Sequence, residues 1–313
     1  GPVESRNTLK RLPIFMAVAL CWACGSDGSA GTGEEPAGPG RLVIIGGGLQ
    51  AENTPVYQAI LEGRSGEGPL CVFPTASASP QESMESAVER IDAVGGPGTA
   101  EGIFISRDNP EAAAQPEVAD RIRSCSGFYY SGGSQSRIAA AFRPETGDSP
   151  AFQAVMELFR NGAVVSGSSA GAAIMNDPMI GGGSSEGALA EGIRGPGEDG
   201  EGVILQKGLG FLENTLVDQH FLARGRWARL LVAVTETEAF TFGAGIDENT
   251  ALVVEGDAAR VVGASGVVFF DTGSAMVREA ERSAGGIVVY LLGDGDRVDL
   301  GDGTVRFDPG KSE

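Results

Sequence analysis

The sequence is poorest in histidine. Its 313 residues contain one, His220, which excludes a histidine-rich metal site and leaves one imidazole for any general-base chemistry. Cysteine is nearly as scarce: of four, Cys21 and Cys24 lie in the first 24 residues, which leaves Cys71 and Cys125 for the rest. No Cys/His cluster has zinc-ligand spacing, so no metal is expected. Positive charge is also short. The formal net charge is −19 and the pI about 4.5, so the chain repels phosphate backbones and nucleic acid is not an expected partner. The apolar stretch Leu12–Trp22 is too short for an ordinary transmembrane helix.

That stretch reads instead as part of a targeting segment. Lys10 and Arg11 form a basic start, the apolar run follows, and Ala23-Cys24-Gly25-Ser26-Asp27 looks like a bacterial lipoprotein signal with Cys24 as the lipidated residue. Cys21 is the alternative anchor and a cleaved secretory signal the alternative process. On either reading residues 1–24 are a signal and the mature protein is exported, touching membrane only through a lipid. Residues 25–40 are rich in Gly, Ser, Glu and Pro and read as a disordered tether. Residues 41–313 show no linker and no internal repeat, and read as one domain. Cys71 and Cys125 lie in or beside strand-like runs and read as buried free thiols. An oxidising compartment would permit one disulfide.

Apolar and amphipathic runs alternate. Strands are expected at Arg41–Ile45, Leu70–Phe73, Gly102–Ile105, Phe128–Tyr130 and Ala163–Ser166. Helices are expected over Thr54–Leu61, Pro80–Val94 (capped by Ser79), Glu117–Ser124, Ser136–Phe142 and Pro150–Arg160. This repetition predicts an α/β fold, a mostly parallel doubly wound sheet, with ligands at the carboxyl ends of its strands. Residues 181–203, with nine glycines and no periodic apolar face, read as a long mobile loop. A helix is expected over Phe221–Thr235. Short β-rich segments from Gly243 to Leu292 then suggest extra C-terminal antiparallel strands.

Three stretches carry chemistry. Gly167-Ser168-Ser169-Ala170-Gly171 follows an apolar strand and precedes a helix-like Ala172-Ala173-Ile174. In a Gly-x-Ser-x-Gly turn the glycines let backbone segments close up while the central serine oxygen is exposed. The Ala170 N–H, at a helix start, is then an oxyanion donor, and the Gly133 N–H from the neighbouring strand end a second. His220 is the base that takes the Ser169 proton. Asp247 and Glu248 end an apolar run, and either carboxylate is placed to orient the imidazole. Arg224, Arg226 and Arg229 follow His220; a guanidinium fork there suits a substrate carboxylate. Asp218, of opposite sign, suits a substrate guanidinium. Gly46-Gly47-Gly48 lacks dinucleotide-binding spacing and reads as a tight turn.

Together, Gly132-Gly133-Ser134-Gln135, Gly167–Ala172, Asp218-Gln219-His220-Phe221 with its three arginines, and Gly245–Ala251 resemble the peptidase family that cyanophycinase shares with aspartyl dipeptidase (peptidase E). The resemblance spans roughly residues 41–295. It implies a fold like the class I glutamine amidotransferases, a Ser169–His220–Glu248 triad, no cofactor, and a homodimer. It also implies substrate contacts from Gln135, Asp218, Gln219, Arg224, Arg226 and Arg229. Peptidase E differs at the position of Gln135, so Gln135 favours cyanophycinase. One departure is Ser168, where the family usually has threonine. The activity implied is hydrolysis of cyanophycin, a poly-aspartate bearing arginine on each side chain, to β-Asp-Arg dipeptides. Two other readings stand beside it: a β-aspartyl or aspartyl dipeptidase for short peptides, and a lipid-anchored binding protein on an inactive hydrolase fold.

Overall fold

The computed structural model describes residues 38–278 and 283–311. The expected signal, Cys24 and nearly all of the tether lie outside the described residues. The first part of the chain runs β1 (Leu42–Ile45), α1 (Thr54–Glu62), β2 (Leu70–Phe73), α2 (Pro80–Gly95), β3 (Ala100–Gly102), α3 (Pro116–Arg123), β4 (Gly127–Tyr130), α4 (Gln135–Phe142), α5 (Pro150–Arg160), β5 (Val164–Ser168) and α6 (Ala170–Ala173). Next come β6 (Met179–Gly182), α7 (Ser185–Glu191), β7 (Ile193–Arg194), β8 (Val203–Gln206), β9 (Asn214–Asp218), α8 (Trp227–Thr235) and β10 (Phe240–Ile246). The C-terminal part is β-rich: β11 (Thr250–Glu255), β12 (Ala258–Gly263), β13 (Gly266–Asp271), β14 (Met276–Arg278), β15 (Ser283–Gly285), β16 (Val288–Gly293), β17 (Arg297–Asp299) and β18 (Val305–Arg306).

The main sheet has strand order β18-β17-β12-β11-β1-β5-β4-β2-β3. From β1 to β3 every pairing is parallel, and from β1 outward through β11 every pairing is antiparallel. The expected doubly wound parallel sheet with added C-terminal strands is therefore present. Its two faces follow from the two-residue period of a strand. Val43, Ile45, Leu70 and Val72 pack with Val56, Ile60 and Ile91 of α1 and α2. Ile44, Phe73, Phe128 and Tyr130 pack with Ile122, Phe142 and Val155 of α3, α4 and α5. A second sheet, β16-β13-β10-β9, shares that latter core through Val217, Ala244, Ile246 and Phe269.

Four expectations change. The third strand is Ala100–Gly102 rather than Gly102–Ile105; the buried Ile103 and Ile105 lie just beyond it. The helix after His220 starts at Trp227, because residues 221–225 form a turn in which Arg224 N–H bonds back to the His220 carbonyl at 3.0 Å. Cys71 and Cys125 are not free thiols. They form a disulfide with Cα atoms 5.8 Å apart, since β2 and β4 are neighbours and bring residues 54 apart in sequence face to face.

Residues 181–203 are folded rather than a long loop. The Ser184 hydroxyl caps α7 by accepting the Gly187 N–H at 2.9 Å, and Gly183 and Gly192 turn the chain at positive φ. Ala188 of α7 packs into the cluster of Leu230 and Val234 on α8. The glycines here supply turns between short elements, a signal that carries no apolar period.

Candidate active site

Five segments meet at the carboxyl ends of the central strands. β1 and β5 end in register, Ile45 beside Ser168, and the Ser169 N–H bonds to the Ile45 carbonyl at 3.0 Å. The chain leaving β9 is stitched to the same place by the His220 N–H on the Gly46 carbonyl, at 2.6 Å. The chain leaving β10 is fixed by the Asn249 N–H on the Gly47 carbonyl, at 2.8 Å. The loop 131–134 after β4 completes the edge. This is the sheet end at which ligands are expected in such folds.

Ser169 sits between β5 and α6 with φ 57° and ψ −109°. A non-glycine residue in that conformation is held against steric strain. The glycines on either side earn their place by close contact: a Cβ on Gly167 would overlap the Gly171 carbonyl, and one on Gly171 the Tyr130 carbonyl. Ser168 next to it is within hydrogen-bond reach of the buried Tyr129 phenol.

The His220 Nε2 lies 2.8 Å from Ser169 Oγ, and its Nδ1 lies 2.5 Å from Glu248 Oε1. The sequence left two carboxylates open, and the geometry separates them. Asp247 faces away from the imidazole and accepts the Leu222 and Ala223 N–H groups at 3.1 and 3.0 Å and the Ser265 hydroxyl at 2.8 Å. Burial alone would raise its pKa. The hydrogen bonds from Ala223, Ser265, Glu248 and Leu222 outweigh burial and hold it below the ordinary carboxylate value. Asp247 thus anchors the turn after His220.

His220 itself has a lowered pKa. Burial is the main cause, opposed by the Glu248 hydrogen bond and charge and reinforced by the positive charges of Arg224 and Arg226. The imidazole is therefore neutral at neutral pH, the state a general base needs. The turn Gly46-Gly47-Gly48, expected to be only a tight turn, is the seat of this ring. A Cβ on Gly47 would fall on the imidazole, and one on Gly48 would come within 3.3 Å of Glu248 Oε2. Three successive glycines after a strand were the visible signal, but sequence does not say what fills the space they leave.

The other expected residues separate into groups. Gln219 Oε1 lies 3.4 Å from Ser169 Oγ. Gln135 donates its amide to the Ile180 and Gly181 carbonyls at 3.1 and 3.3 Å, so this part of the side chain holds the β6 segment. Asp218 and Arg229, expected to contact substrate, are 1% and 4% exposed and form a two-pronged pair with each other. Arg229 also donates to the Gly183 carbonyl at 2.8 Å. Both charges are spent inside the protein. Arg226 donates to the Gln219 carbonyl at 2.7 Å and lies 3.8 Å from Asp218. Burial first, then the charge of Arg229, lower its pKa to about 10. Arg224 is exposed and, among the described residues, forms no ion pair. Neither the Ala170 nor the Gly133 N–H has a backbone partner among the described residues outside regular structure.

Known proteins match this chain over the same elements. Residues 42–262 match peptidase family S51. The chain is 34% identical over 197 residues to a cyanophycinase of Synechococcus elongatus, covering 60% of this chain and 57% of that protein, so the match spans little more than half of that relative. A cyanophycinase of Trichormus variabilis is 29% identical over 280 residues, covering 84% of this chain and 87% of that one. Among solved structures, a peptidase from an acI-B1 Actinobacterium aligns with a TM-score of 0.57 at 20% identity, covering 83% of this chain and 97% of that one, which is a likeness of fold. Since the family match takes in the whole parallel sheet, the serine turn, the histidine and the carboxylate after β10, the chain belongs to peptidase family S51.

Proposed function

We propose that this protein is an exported serine exopeptidase that hydrolyses cyanophycin to β-Asp-Arg dipeptides. The observation that carries the reading is the unbroken relay from Ser169 Oγ through the His220 ring to Glu248, at 2.8 and 2.5 Å. In this reading Glu248 accepts the Nδ1–H and so fixes the tautomer that leaves Nε2 as acceptor. His220 takes the Ser169 proton as Oγ attacks the peptide carbonyl. The oxyanion is held by the free N–H groups of Ala170 and Gly133. His220 then returns the proton to the leaving amine, and water, activated by the same ring, hydrolyses the acyl-enzyme.

The substrate class rests on the similarity to proteins named cyanophycinase and on the charges around the relay. Arg224 offers an open guanidinium for a substrate carboxylate, and Gln219 a side chain at the reacting oxygen. Gln135, Asp218, Arg226 and Arg229 act behind these, holding the pocket wall. Export is supported by the Cys71–Cys125 disulfide, which suits an oxidising compartment, and by the leader read in residues 1–24.

Incubating the purified protein with cyanophycin and weighing the products tests the reading. β-Asp-Arg dipeptides are expected. Hydrolysis of short β-aspartyl dipeptides with the polymer left intact would replace it with the dipeptidase reading. No turnover and no labelling of Ser169 by a serine-directed inhibitor would leave a binding protein.

A further inference from the structure

A cavity of about 260 Å³ opens beside the nucleophile, between α2 and the ends of β4 and β5, and none of the residues expected to bind substrate lines it. Its walls include Ser169 itself, Ser131, Tyr57, Tyr129, Ser86 and Arg90, and no Asp or Glu. Ser131 is 4% exposed, yet its hydroxyl has no hydrogen-bond partner. Leaving a buried hydroxyl unpaired costs on the order of 1–3 kcal/mol, and a rotation about the Ser131 Cα–Cβ bond would offer this one to a ligand in the cavity. Arg90 donates through Nη1 to the Leu49 carbonyl at 3.0 Å and lies close enough to the Tyr57 phenol for its charge to act on it. Among the described residues it pairs with no carboxylate, although the chain carries 42 acidic residues.

We propose that this cavity is a carboxylate subsite, with Arg90 as its specificity residue. The lining offers one permanent cation and a set of hydroxyl donors and contains no Asp or Glu; the negative charges nearby, Glu52 acting on Tyr57 and Glu248 beside Gly48, lie outside it. The phenols remain donors: burial raises Tyr57, with Arg90 opposing, and burial raises Tyr129 to about 12. A guanidinium with neutral hydroxyls beside it matches the two oxygens of a carboxylate. The void is slightly below the size range of drug-sized pockets, which suits the end of a peptide unit. A free carboxylate held here lies next to Ser169: if it is the main-chain terminal one, the enzyme measures distance from a chain end, and if it is an arginine carboxylate, it recognises the side-chain unit. The naming of that carboxylate rests on the proposed substrate, whereas the subsite itself does not. A β-Asp-Arg unit has two candidates, the main-chain terminal carboxylate and the carboxylate of its arginine.

Protection of Ser169 from a serine-directed fluorophosphonate reads the subsite without turnover. β-Asp-Arg is compared with its two monoamides, and succinate with succinamide, on the wild type, Arg90→Gln and Arg90→Lys. β-Asp-Arg and succinate should protect the wild type. Arg90→Gln should weaken that protection about 10- to 100-fold, the range for a charge-assisted hydrogen bond, with Arg90→Lys intermediate. The unprotected labelling rate should stay unchanged in both variants. The monoamide that fails to protect identifies the carboxylate bound. Equal protection by acid and amide, protection indifferent to Arg90→Gln, or slower unprotected labelling in Arg90→Gln would overturn the proposal, the last because Arg90 would then position the nucleophile. If succinate protects through Arg90 while no β-aspartyl peptide is hydrolysed, the subsite stands and the proposed substrate falls.

Discussion

Arg229 on α8 and Arg90 on α2 both belong to the neighbourhood of the Ser169–His220 pair, and they differ in what their charges are bound to. Arg229 is buried and locked in a two-pronged pair with Asp218, two residues before His220. Arg90 lines an open cavity with Ser169 and meets only a carbonyl and a phenol. The first charge is neutralised by the fold and sets the path of the chain into His220. The second is left for something the fold does not contain. An arginine beside a reactive group is therefore not a ligand contact by residue type alone; its partner decides.

Both regions flank one oxygen, and the largest effect lies there. Ser169→Ala should lower kcat on the order of 10⁴-fold or more, as when a triad nucleophile is lost, with cooperative unfolding retained; a variant keeping half its activity would remove the ground for comparing the two arginines at all. Next comes the buried pair. Arg229→Ala or Asp218→Asn should destabilise the protein by about 3–5 kcal/mol, because each strands an uncompensated charge. Denaturant titration checks this, and Arg90→Gln run alongside should shift the midpoint far less, by about the 0.5–1.5 kcal/mol of its one hydrogen bond to the Leu49 carbonyl. A reversed order would exchange the roles of the two arginines.

Gly47→Ala sharpens the same contrast by moving the histidine without touching either charge. A Cβ there falls on the imidazole, and Gly47 has φ +108°. A displacement of about 1 Å costs about 10² in rate, so kcat/KM should fall by that order while carboxylate protection through Arg90 persists. The smallest effect is electrostatic. Because His220 titrates below 6.5, the acid limb of kcat/KM should lie below that pH. Arg224 disfavours the imidazolium, so Arg224→Ala should move the limb upward, toward 6.5. A pH–rate profile in which the limb moves downward would contradict this placement of Arg224.

The parallel sheet was legible because its strands and helices switch period cleanly, and Ser169 and His220 because one is framed by glycines and the other is the sole imidazole. What was not legible has a common physical origin, the pairing of residues distant in sequence. Nothing local to Asp247-Glu248 says that one carboxylate turns toward Ser265 and the other toward His220. Asp218 and Arg229 looked like substrate contacts because burial and mutual pairing have no signature at a separation of 11. Arg90 follows Glu89 on a polar helix face and is exposed in the structure, as the pattern suggests; its place in the cavity wall, against the Leu49 carbonyl after β1, has no local signature. The 181–203 segment misled for the opposite reason, since its order comes from caps and turns rather than from apolar rhythm.

Ser169 and His220, at φ 57° and 47°, both occupy backbone territory that suits glycine far better than either of them. The rest of the domain holds them there at its own expense, of order 1–3 kcal/mol apiece. Glycine at 169 would relieve that strain and remove the hydroxyl the proposed reaction needs; glycine at 220 would relieve the backbone but empty the buried space the imidazole fills. At residue 169 stability and the proposed reaction therefore pull in opposite directions, and a stabilising substitution there is expected to cost function.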